Sequence, residues 1–152
     1  MANMTNHADM ANQTDSTDTM NNCVFCKIIN RELPSYTIYE DREFIVFLDI
    51  FPATIGQTLV IPKKHLDYAF DLDESRYIKM MSLAKGVAKA IDKALKPVKT
   101  ALIIEGFDVA HAHVRLHPCY EKRLIVVRMD PKPSDDEFKM IAQKIKANLS
   151  AY

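Results

Sequence analysis

The chain has 152 residues, of which 48% are hydrophobic and 26% are charged, and this composition is typical of one soluble globular domain. Twenty basic and twenty acidic residues leave no net charge, so the overall electric field favours neither a nucleic-acid partner nor a membrane surface. We therefore expect any phosphate binding to depend on a local cluster of residues.

The first 22 residues are rich in Asn, Thr, Asp and Met and contain no apolar run suited to a signal peptide or a membrane span. We expect a disordered tail over 1–22, followed by one domain over 23–152. Met20 is a candidate start of translation, because it lies three residues before the first apolar segment. Without a secretory signal we expect a cytoplasmic location, where the three cysteines stay reduced.

The first ordered elements are short. Residues 23–29 predict an apolar turn or helix, and Pro34 ends it with an extended exit. Two β-rich runs at 37–40 and 44–49 are separated by a polar turn and predict a hairpin, and 57–62 predicts a third strand.

A change of period between Asp71 and Leu95 predicts a long helix. Asp71 followed by Glu74 resembles an N-terminal cap, and Pro97 prevents the helix from continuing. The predicted buried face consists of residues three or four positions apart, namely Tyr77, Met80, Ala84, Val87, Ile91 and Leu95.

Strand character returns at 101–105, 109–117 and 123–129, and a last amphipathic helix is predicted over 134–149. A capping box of Ser134 and Glu137 begins this helix. Because helices and strands do not alternate as βαβ units, we predict an α+β domain, an antiparallel sheet with one long helix and a C-terminal helix. The buried stripe of the last helix is predicted to be Phe138, Ile141, Ile145 and Leu149.

Histidines alternate with apolar residues in the predicted strand at 109–117. Such alternation also occurs on solvated sheet faces, but those faces usually carry Lys, Glu or Thr rather than histidine. Imidazole can act as nucleophile, acid, base or metal ligand, and arginine matches phosphate oxygens, so we favour phosphoryl chemistry. The side chains on this face are His111, His113, Arg115 and His117, and those on the core face are Ala112, Val114 and Leu116. His117 could carry protons behind the reacting groups or lie at the wet end of the strand, and we favour the wet end.

The pair Cys23 and Cys26 is compatible with a zinc site, a redox pair or chance. A redox pair would need a thioredoxin-like βαβ context, which is missing here. Zinc requires four ligands, and His65 and His111 supply two more in ordered segments. Such a Cys2His2 site would be structural, since protein ligands occupy all four positions.

Asp49 follows an aromatic-rich strand and precedes a loop. Its carboxylate is equally compatible with binding sugar hydroxyls and with forming a local turn or cap.

Three segments, CVFCKIINRELPSYTIYED, FIVFLDIFPATIGQTLVIPKKH and VAHAHVRLHP, resemble the bacterial zinc-containing branch of the histidine triad (HIT) family. The resemblance covers about residues 23–120. It implies an α+β fold, a homodimer, and hydrolysis of nucleoside phosphoramidates, adenylated amines or dinucleoside polyphosphates, with a purine nucleotide as ligand. By position in the motif, His113 is the nucleophile and forms a nucleotidyl-histidine intermediate.

The resemblance also implies two sets of binding residues. Those of the nucleotide pocket are Phe25, Ile28, Phe47, Asp49 and Ile50, with the aspartate on the ribose hydroxyls. Those of a structural zinc site are Cys23, Cys26, His65 and His111, the same four that the ligand count suggests.

The chain departs from the family pattern around the triad. Arg115 replaces the third histidine, and His117 occupies a position that is usually apolar. The loop before the triad lacks the Gly-Gln-Ser/Thr stretch that contacts phosphate, and Ile104 and Glu105 stand where the family has an asparagine. We expect Arg115 to take over the phosphate contact and to act with His113 in catalysis.

The expected function is therefore a nucleotide hydrolase that cleaves a nucleoside phosphoramidate or an adenylated substrate. Three alternatives remain open. The enzyme could act on dinucleoside polyphosphates, the altered triad could leave a zinc-stabilised nucleotide-binding protein without turnover, or the two neighbouring cysteines could serve a redox protein.

Overall fold

The computed structural model describes residues 22–150. The predicted tail and the candidate start at Met20 lie outside this range, apart from Asn22, so they stay predictions. The described residues form an α+β domain with one five-stranded antiparallel sheet, as the sequence predicts. The strand order is β1-β2-β3-β5-β4, with β1 at Thr37–Glu40, β2 at Phe44–Leu48, β3 at Thr58–Pro62, β4 at Lys99–Glu105 and β5 at His113–Cys119.

Within residues 22–150, three α-helices accompany the sheet. They are α1 at Val24–Ile29, α2 at Glu74–Leu95 and α3 at Asp135–Ala147, and a single 3-10 turn spans Ala69–Asp71. Within the described part of the chain, none of these helices combines the length and the apolar character needed to cross a bilayer.

The hairpin of β1 and β2 is closed by the side chain of Asp41. Its Oδ1 accepts hydrogen bonds from the backbone N–H groups of Glu43 and Phe44, both at 2.7 Å. Asp41 thus supplies the turn chemistry that the polar break between the two runs predicts.

The N-terminal cap of helix α2 lies two residues later than predicted. Asp71 belongs to the 3-10 turn, and Asp73 is the true cap, because its Oδ1 accepts a hydrogen bond from the backbone N–H of Arg76 at 3.0 Å. The helix ends at Leu95, where Lys96 adopts the left-handed conformation with φ of 52°, immediately before the proline.

The prediction of a strand at 123–129 is wrong. The segment is irregular, and Val126 and Val127 are 65% and 76% exposed. No strand of the described sheet lies beside it, and its contacts include a hydrogen bond from the N–H of Met129 to the carbonyl of Pro52 and an ion pair between Arg128 and Asp108. An apolar run without a neighbouring strand cannot complete a β ladder, however high its β propensity.

The sheet is covered on both faces. Helices α2 and α3 pack on one face over the main core, which includes Ala112, Val114 and Leu116 as the alternation predicts. Helix α1 lies on the other face over a smaller cluster that contains Phe47 and Leu59. Two buried layers explain why β2 and β3 are apolar at nearly every position. The polar residues of β5 point toward the α1 side.

Candidate active site and metal site

A cavity of about 340 Å³ lies beside α1, β2, β3 and β5. This volume falls in the range of small-molecule pockets, which combine an apolar wall with a few convergent polar groups. Its polar lining includes Asp49, Gln57, His113, Arg115, His117 and Arg128.

The apolar wall of the cavity contains the residues that the family resemblance assigns to the nucleotide base. Phe25, Ile28, Phe47 and Ile50 all line it. The ring of Phe25 meets Phe47 edge to face, with centroids 5.9 Å apart, and lies 5.3 Å from the ring of His113. Helix α1 therefore brings an aromatic surface next to the histidine strand, and this surface suits a flat heterocycle.

Asp49 is held at the rim of the cavity by three contacts. Its Oδ1 accepts a hydrogen bond from the N–H of Phe51 at 2.9 Å, and its Oδ2 accepts one from Nε2 of Gln57 at 2.6 Å. The backbone N–H of Asp49 donates to the carbonyl of Gln57 at 3.0 Å. The carboxylate therefore organises the loop, as the turn interpretation predicts, and it also lines the cavity, while its contact with sugar hydroxyls stays a prediction.

His113 is buried and has a defined tautomer. Its Nδ1 lies 2.7 Å from the backbone carbonyl of His111, so Nδ1 carries the proton and donates it to that oxygen. Burial, and secondly the nearby Arg115 guanidinium, lower the pKa of His113, although the His111 carbonyl opposes this shift. The ring is neutral at pH 7, and Nε2 keeps its lone pair at the cavity wall.

Arg115 forms an ion pair across the sheet. Its Nη1 lies 2.6 Å from Oε1 of Glu105, which is on the neighbouring strand β4. Its Nε is buried and has no hydrogen-bond partner among the described residues. This N–H is therefore free to donate to an oxygen of a bound substrate.

The prediction that His117 lies at a wet strand end is wrong. The residue is 1% exposed, lines the cavity, and neither ring nitrogen has a hydrogen-bond partner among the described residues. It is not at the end of the strand, because β5 continues to Cys119 between β3 and β4. Histidines at 111, 113 and 117 are all at most 1% exposed, so this is no solvated sheet face.

A second cluster lies where α1 meets the start of β5. The ligand atoms of Cys23, Cys26, His65 and His111 all lie within 4.8 Å of one another, so the four predicted metal ligands come together. Cys26 Sγ is 3.2 Å from His65 Nδ1, Cys23 Sγ is 3.4 Å from His111 Nδ1, and the two Nδ1 atoms are 3.2 Å apart.

These separations fit the tetrahedral coordination of one metal ion. Tetrahedral bonds of the usual zinc lengths place sulfur and nitrogen ligands about 3.6 Å apart and two nitrogens about 3.3 Å apart. His111 Nε2 donates to the carbonyl of Pro62 at 2.8 Å, which leaves Nδ1 unprotonated toward the cluster. Burial lowers the pKa of His111 to about 4, while burial and Cys23 raise the pKa of Cys26 to about 12. A cation at this position would compensate two buried thiolates.

Three residues near the cavity were not identified as functional candidates from the sequence alone. Gln57 is 3% exposed and orients Asp49, Glu105 pairs with Arg115, and Arg128 lines the cavity although it lies in a segment predicted as a strand. Only Glu105 has a signal in the sequence. It stands where the family has asparagine, and an arginine stands where the family has histidine, so the two departures form one contact.

The model of the HIT domain matches residues 30–122. A HIT-like protein of Borreliella burgdorferi is 32% identical over 139 residues, which cover 86% of this chain and all of that protein. The adenosine 5'-monophosphoramidase of Saccharomyces cerevisiae is 32% identical over 130 residues, covering 84% of this chain and 82% of the yeast enzyme.

A solved structure shows the same fold. It is a zinc-bound histidine triad family protein from Mycobacterium smegmatis, which superposes with a TM-score of 0.73 at 29% identity and covers 86% of this chain and 94% of its own. The domain match, the level of identity and the shared sheet agree with the sequence motifs. The chain belongs to the HIT domain family.

Proposed function

We propose that this protein is a nucleotide hydrolase that cleaves a nucleoside phosphoramidate or an adenylated substrate through a nucleotidyl intermediate on His113. The observation that supports the proposal most directly is the hydrogen bond from Nδ1 of His113 to the His111 carbonyl at 2.7 Å. It leaves a neutral ring with an available lone pair at the wall of a cavity of nucleotide size. The yeast relative is a phosphoramidase, which agrees with this substrate class.

In the proposed reaction, Nε2 of His113 attacks the α-phosphorus of a purine nucleotide whose ribose hydroxyls are bound by Asp49. The bond from phosphorus to the amine breaks, and the amine leaves after taking up a proton from the solvent. Arg115 stabilises the charge on the non-bridging oxygens, as preorganised cations do in phosphoryl transfer. Water then attacks the same phosphorus, so the histidine is released unchanged and the nucleoside monophosphate departs.

The carbonyl of His111 contributes to both steps of this scheme. While His113 is a nucleophile, the carbonyl fixes the tautomer with the lone pair on Nε2. Once Nε2 is bonded to phosphorus, the ring is cationic, and the same carbonyl stabilises the N–H that carries this charge.

The test is replacement of His113 by Ala. We expect turnover of an adenosine phosphoramidate to be abolished while adenosine monophosphate still binds, because the apolar wall and Asp49 remain. Brief incubation of the unchanged protein with a radiolabelled substrate should trap one labelled nucleotidyl group, and H113A should trap none. A near-native rate in H113A, or unlabelled protein at full turnover, would refute the mechanism and favour a binding protein without turnover.

A second candidate substrate is a dinucleoside polyphosphate. The observation that favours it is a pair of cations beside the cavity, since Arg128 and Lys132 lie 5.5 and 5.0 Å from the ring centroid of Phe51. Such cations suit phosphates beyond the reacting one. Product analysis with diadenosine tetraphosphate and with an adenosine phosphoramidate at equal concentration separates the two substrate classes.

We propose that Cys23, Cys26, His65 and His111 bind one structural zinc ion. The support is the donor set, the tetrahedral separations, and the zinc in the M. smegmatis relative. When bound, zinc would supply a cross-link between α1 and β5 and no open coordination position, because four protein ligands complete the site. Thiol ligands require a reducing compartment, so we also propose that the protein is cytoplasmic.

We also propose a homodimer. Strand β4 lies at the end of the sheet, and its outer edge is not paired within the described residues. Leu102 on this strand is 40% exposed, and an apolar edge of this kind suits pairing with a second copy. Sedimentation equilibrium should give twice the chain mass, and Leu102→Lys should shift the equilibrium toward the monomer.

A further inference from the structure

The ring of His117 differs from the other histidines of the chain's described part. The rings of His111 and His113 each bond a backbone carbonyl, whereas both nitrogens of His117 are buried without a hydrogen-bond partner there. Buried polar atoms are nearly always paired, and leaving them unpaired destabilises the fold. The residue also lines the cavity, so a ligand that enters the cavity is the candidate partner for these buried nitrogens.

The position of His117 in the sheet links it to Asp49. Leu48 of β2 is paired with Thr58 of β3, which is paired with Leu116 of β5. Because the strands are antiparallel, the next position along this set of pairs brings together one residue from each strand. The row consists of Asp49, Gln57 and His117. Gln57 stands in the middle of this row and donates to the Asp49 carboxylate at 2.6 Å.

The phosphate-binding groups lie on a different row. His113 is paired with Glu105 across β5 and β4, and Arg115 reaches toward that row to contact Glu105. His117 is separated from His113 by four residues of extended chain, about 13 Å at the usual rise of a strand. Arg115 lies between the two histidines on β5, so the polar lining runs from a phosphate side at His113 to a second side at Asp49 and His117.

The charge of the His117 ring limits what it can bind. Burial, and secondly Arg115, lower the pKa of His117, while Asp49 and Glu105 oppose the shift, so the ring is neutral at pH 7. A neutral imidazole offers one donor and one acceptor, which matches a hydroxyl better than a phosphate anion.

We propose that His117 is a specificity-determining residue whose ring hydrogen-bonds a ribose hydroxyl of the bound nucleotide, beside the hydroxyl contact of Asp49. The inference rests on the proposed function, because it assumes that a nucleotide occupies the cavity. It assigns the extra histidine of this chain to recognition of ribonucleotides over deoxyribonucleotides.

The first test compares binding of adenosine monophosphate with its 2'-deoxy and 3'-deoxy analogues by calorimetry. Loss of one hydrogen bond should weaken binding of adenosine monophosphate to His117→Leu about tenfold. The analogue that lacks the contacted hydroxyl should bind both proteins within about twofold, since it has no such bond to lose. His117→Asn, which keeps a donor and an acceptor, should retain part of the preference.

Cys119→Ser is the matched control, because Cys119 lies two residues further on the same face of β5 and outside the cavity lining. It should preserve the preference of the unchanged protein. Equal weakening of all three ligands by His117→Leu would overturn the proposal and assign the ring a packing role. Failure of the unchanged protein to bind any of the nucleotides would overturn both this proposal and the proposed function.

A second measurement observes the ring directly in the unchanged protein. In protein labelled with nitrogen-15 at histidine, adenosine monophosphate should shift the ring resonances of His117, and the 2',3'-dideoxy analogue should leave them unchanged. His117→Asn assigns the resonance. Equal shifts with both ligands would contradict a sugar contact even if the nucleotide binds and reacts normally.

Discussion

The carboxylate of Glu105 lies 2.6 Å from the guanidinium of Arg115, across the β4 and β5 pair. Both side chains are about three-quarters or more covered, with 26% and 19% of their side-chain surface exposed. The arginine that replaces the third histidine of the triad is therefore held by a neighbour, and part of its charge is neutralised before any phosphate arrives.

Glu105→Gln should strengthen the interaction of Arg115 with phosphate. The amide oxygen still accepts a hydrogen bond, but the competing negative charge is lost, so we expect KM to fall about three- to tenfold. Glu105→Ala is the comparison, since it removes the positioning contact as well and should lower kcat. Steady-state kinetics with an adenosine phosphoramidate measures both, and an increased KM in the Gln variant would contradict this view of the pair.

Arg115→Ala should lower kcat more than it changes KM. In the proposed reaction the guanidinium stabilises charge that develops on the phosphoryl oxygens, and removal of one such donor typically costs about 10²- to 10³-fold in rate. Arg115→His restores the family's third histidine and should recover part of the loss. A rate within about twofold of the unchanged protein in the Ala variant would show that Arg115 has no part in the chemistry.

Cys26→Ser should reduce bound zinc well below one ion per chain and lower the melting temperature, because three ligands and a weak hydroxyl no longer hold α1 against β5. Metal analysis after gel filtration and a thermal melt provide the readouts. Cys119→Ser serves as the control. This buried thiol donates a hydrogen bond to the carbonyl of His117 and does not belong to the metal cluster. Full zinc content in Cys26→Ser would remove that residue from the ligand set.

Acid should destabilise the protein in part through His117. Its pKa in the folded state is lowered, chiefly by burial, so the unfolded chain binds the proton more readily. The free energy of unfolding should therefore decrease as the pH falls below about 6.5, the ordinary histidine value, and continue to fall until the folded-state pKa is passed. Denaturant titrations should show a shallower decrease for His117→Leu. Parallel curves for the two proteins would contradict the shift.

Phe138→Ala should destabilise the domain by about 3–5 kcal/mol, the usual range for a buried phenylalanine. Phe138 is 4% exposed and stacks on Tyr36, with centroids 4.9 Å apart, so it attaches α3 to the sheet. Met140→Ala on the same helix, at a position 53% exposed, is the control and should change stability little. Chemical unfolding measures the difference. Equal stabilities would mean that α3 is dispensable for the domain.

Much of the fold follows from local patterns in the sequence. The alternation around His113 and the three-to-four period of α2 depend on the geometry of single elements, so both are visible without a structure. The cysteine and histidine cluster is also predictable, because its chemistry demands four ligands and the chain offers few candidates.

The features that could not be predicted from the sequence depend on contacts with neighbouring elements. The burial of His117 follows from the covering of β5 on both sides, which a pattern along one strand cannot reveal. The run at 123–129 has the composition of a strand but no strand beside it, so its propensity is overridden. The cap of α2 moved from Asp71 to Asp73 because two aspartates compete locally and the 3-10 turn takes the first.

The contact between Cys23 and His111 joins residues separated by 88 positions. During synthesis the thiols leave the ribosome long before the imidazole, so the nascent chain must expose two unpaired cysteines until β5 has emerged. Attachment of α1, which carries Phe25 and Ile28, to the start of β5 then becomes a late event of biogenesis. A ribosome-bound chain truncated before residue 111 should therefore retain thiols that react with alkylating reagents, whereas the released protein should shield them.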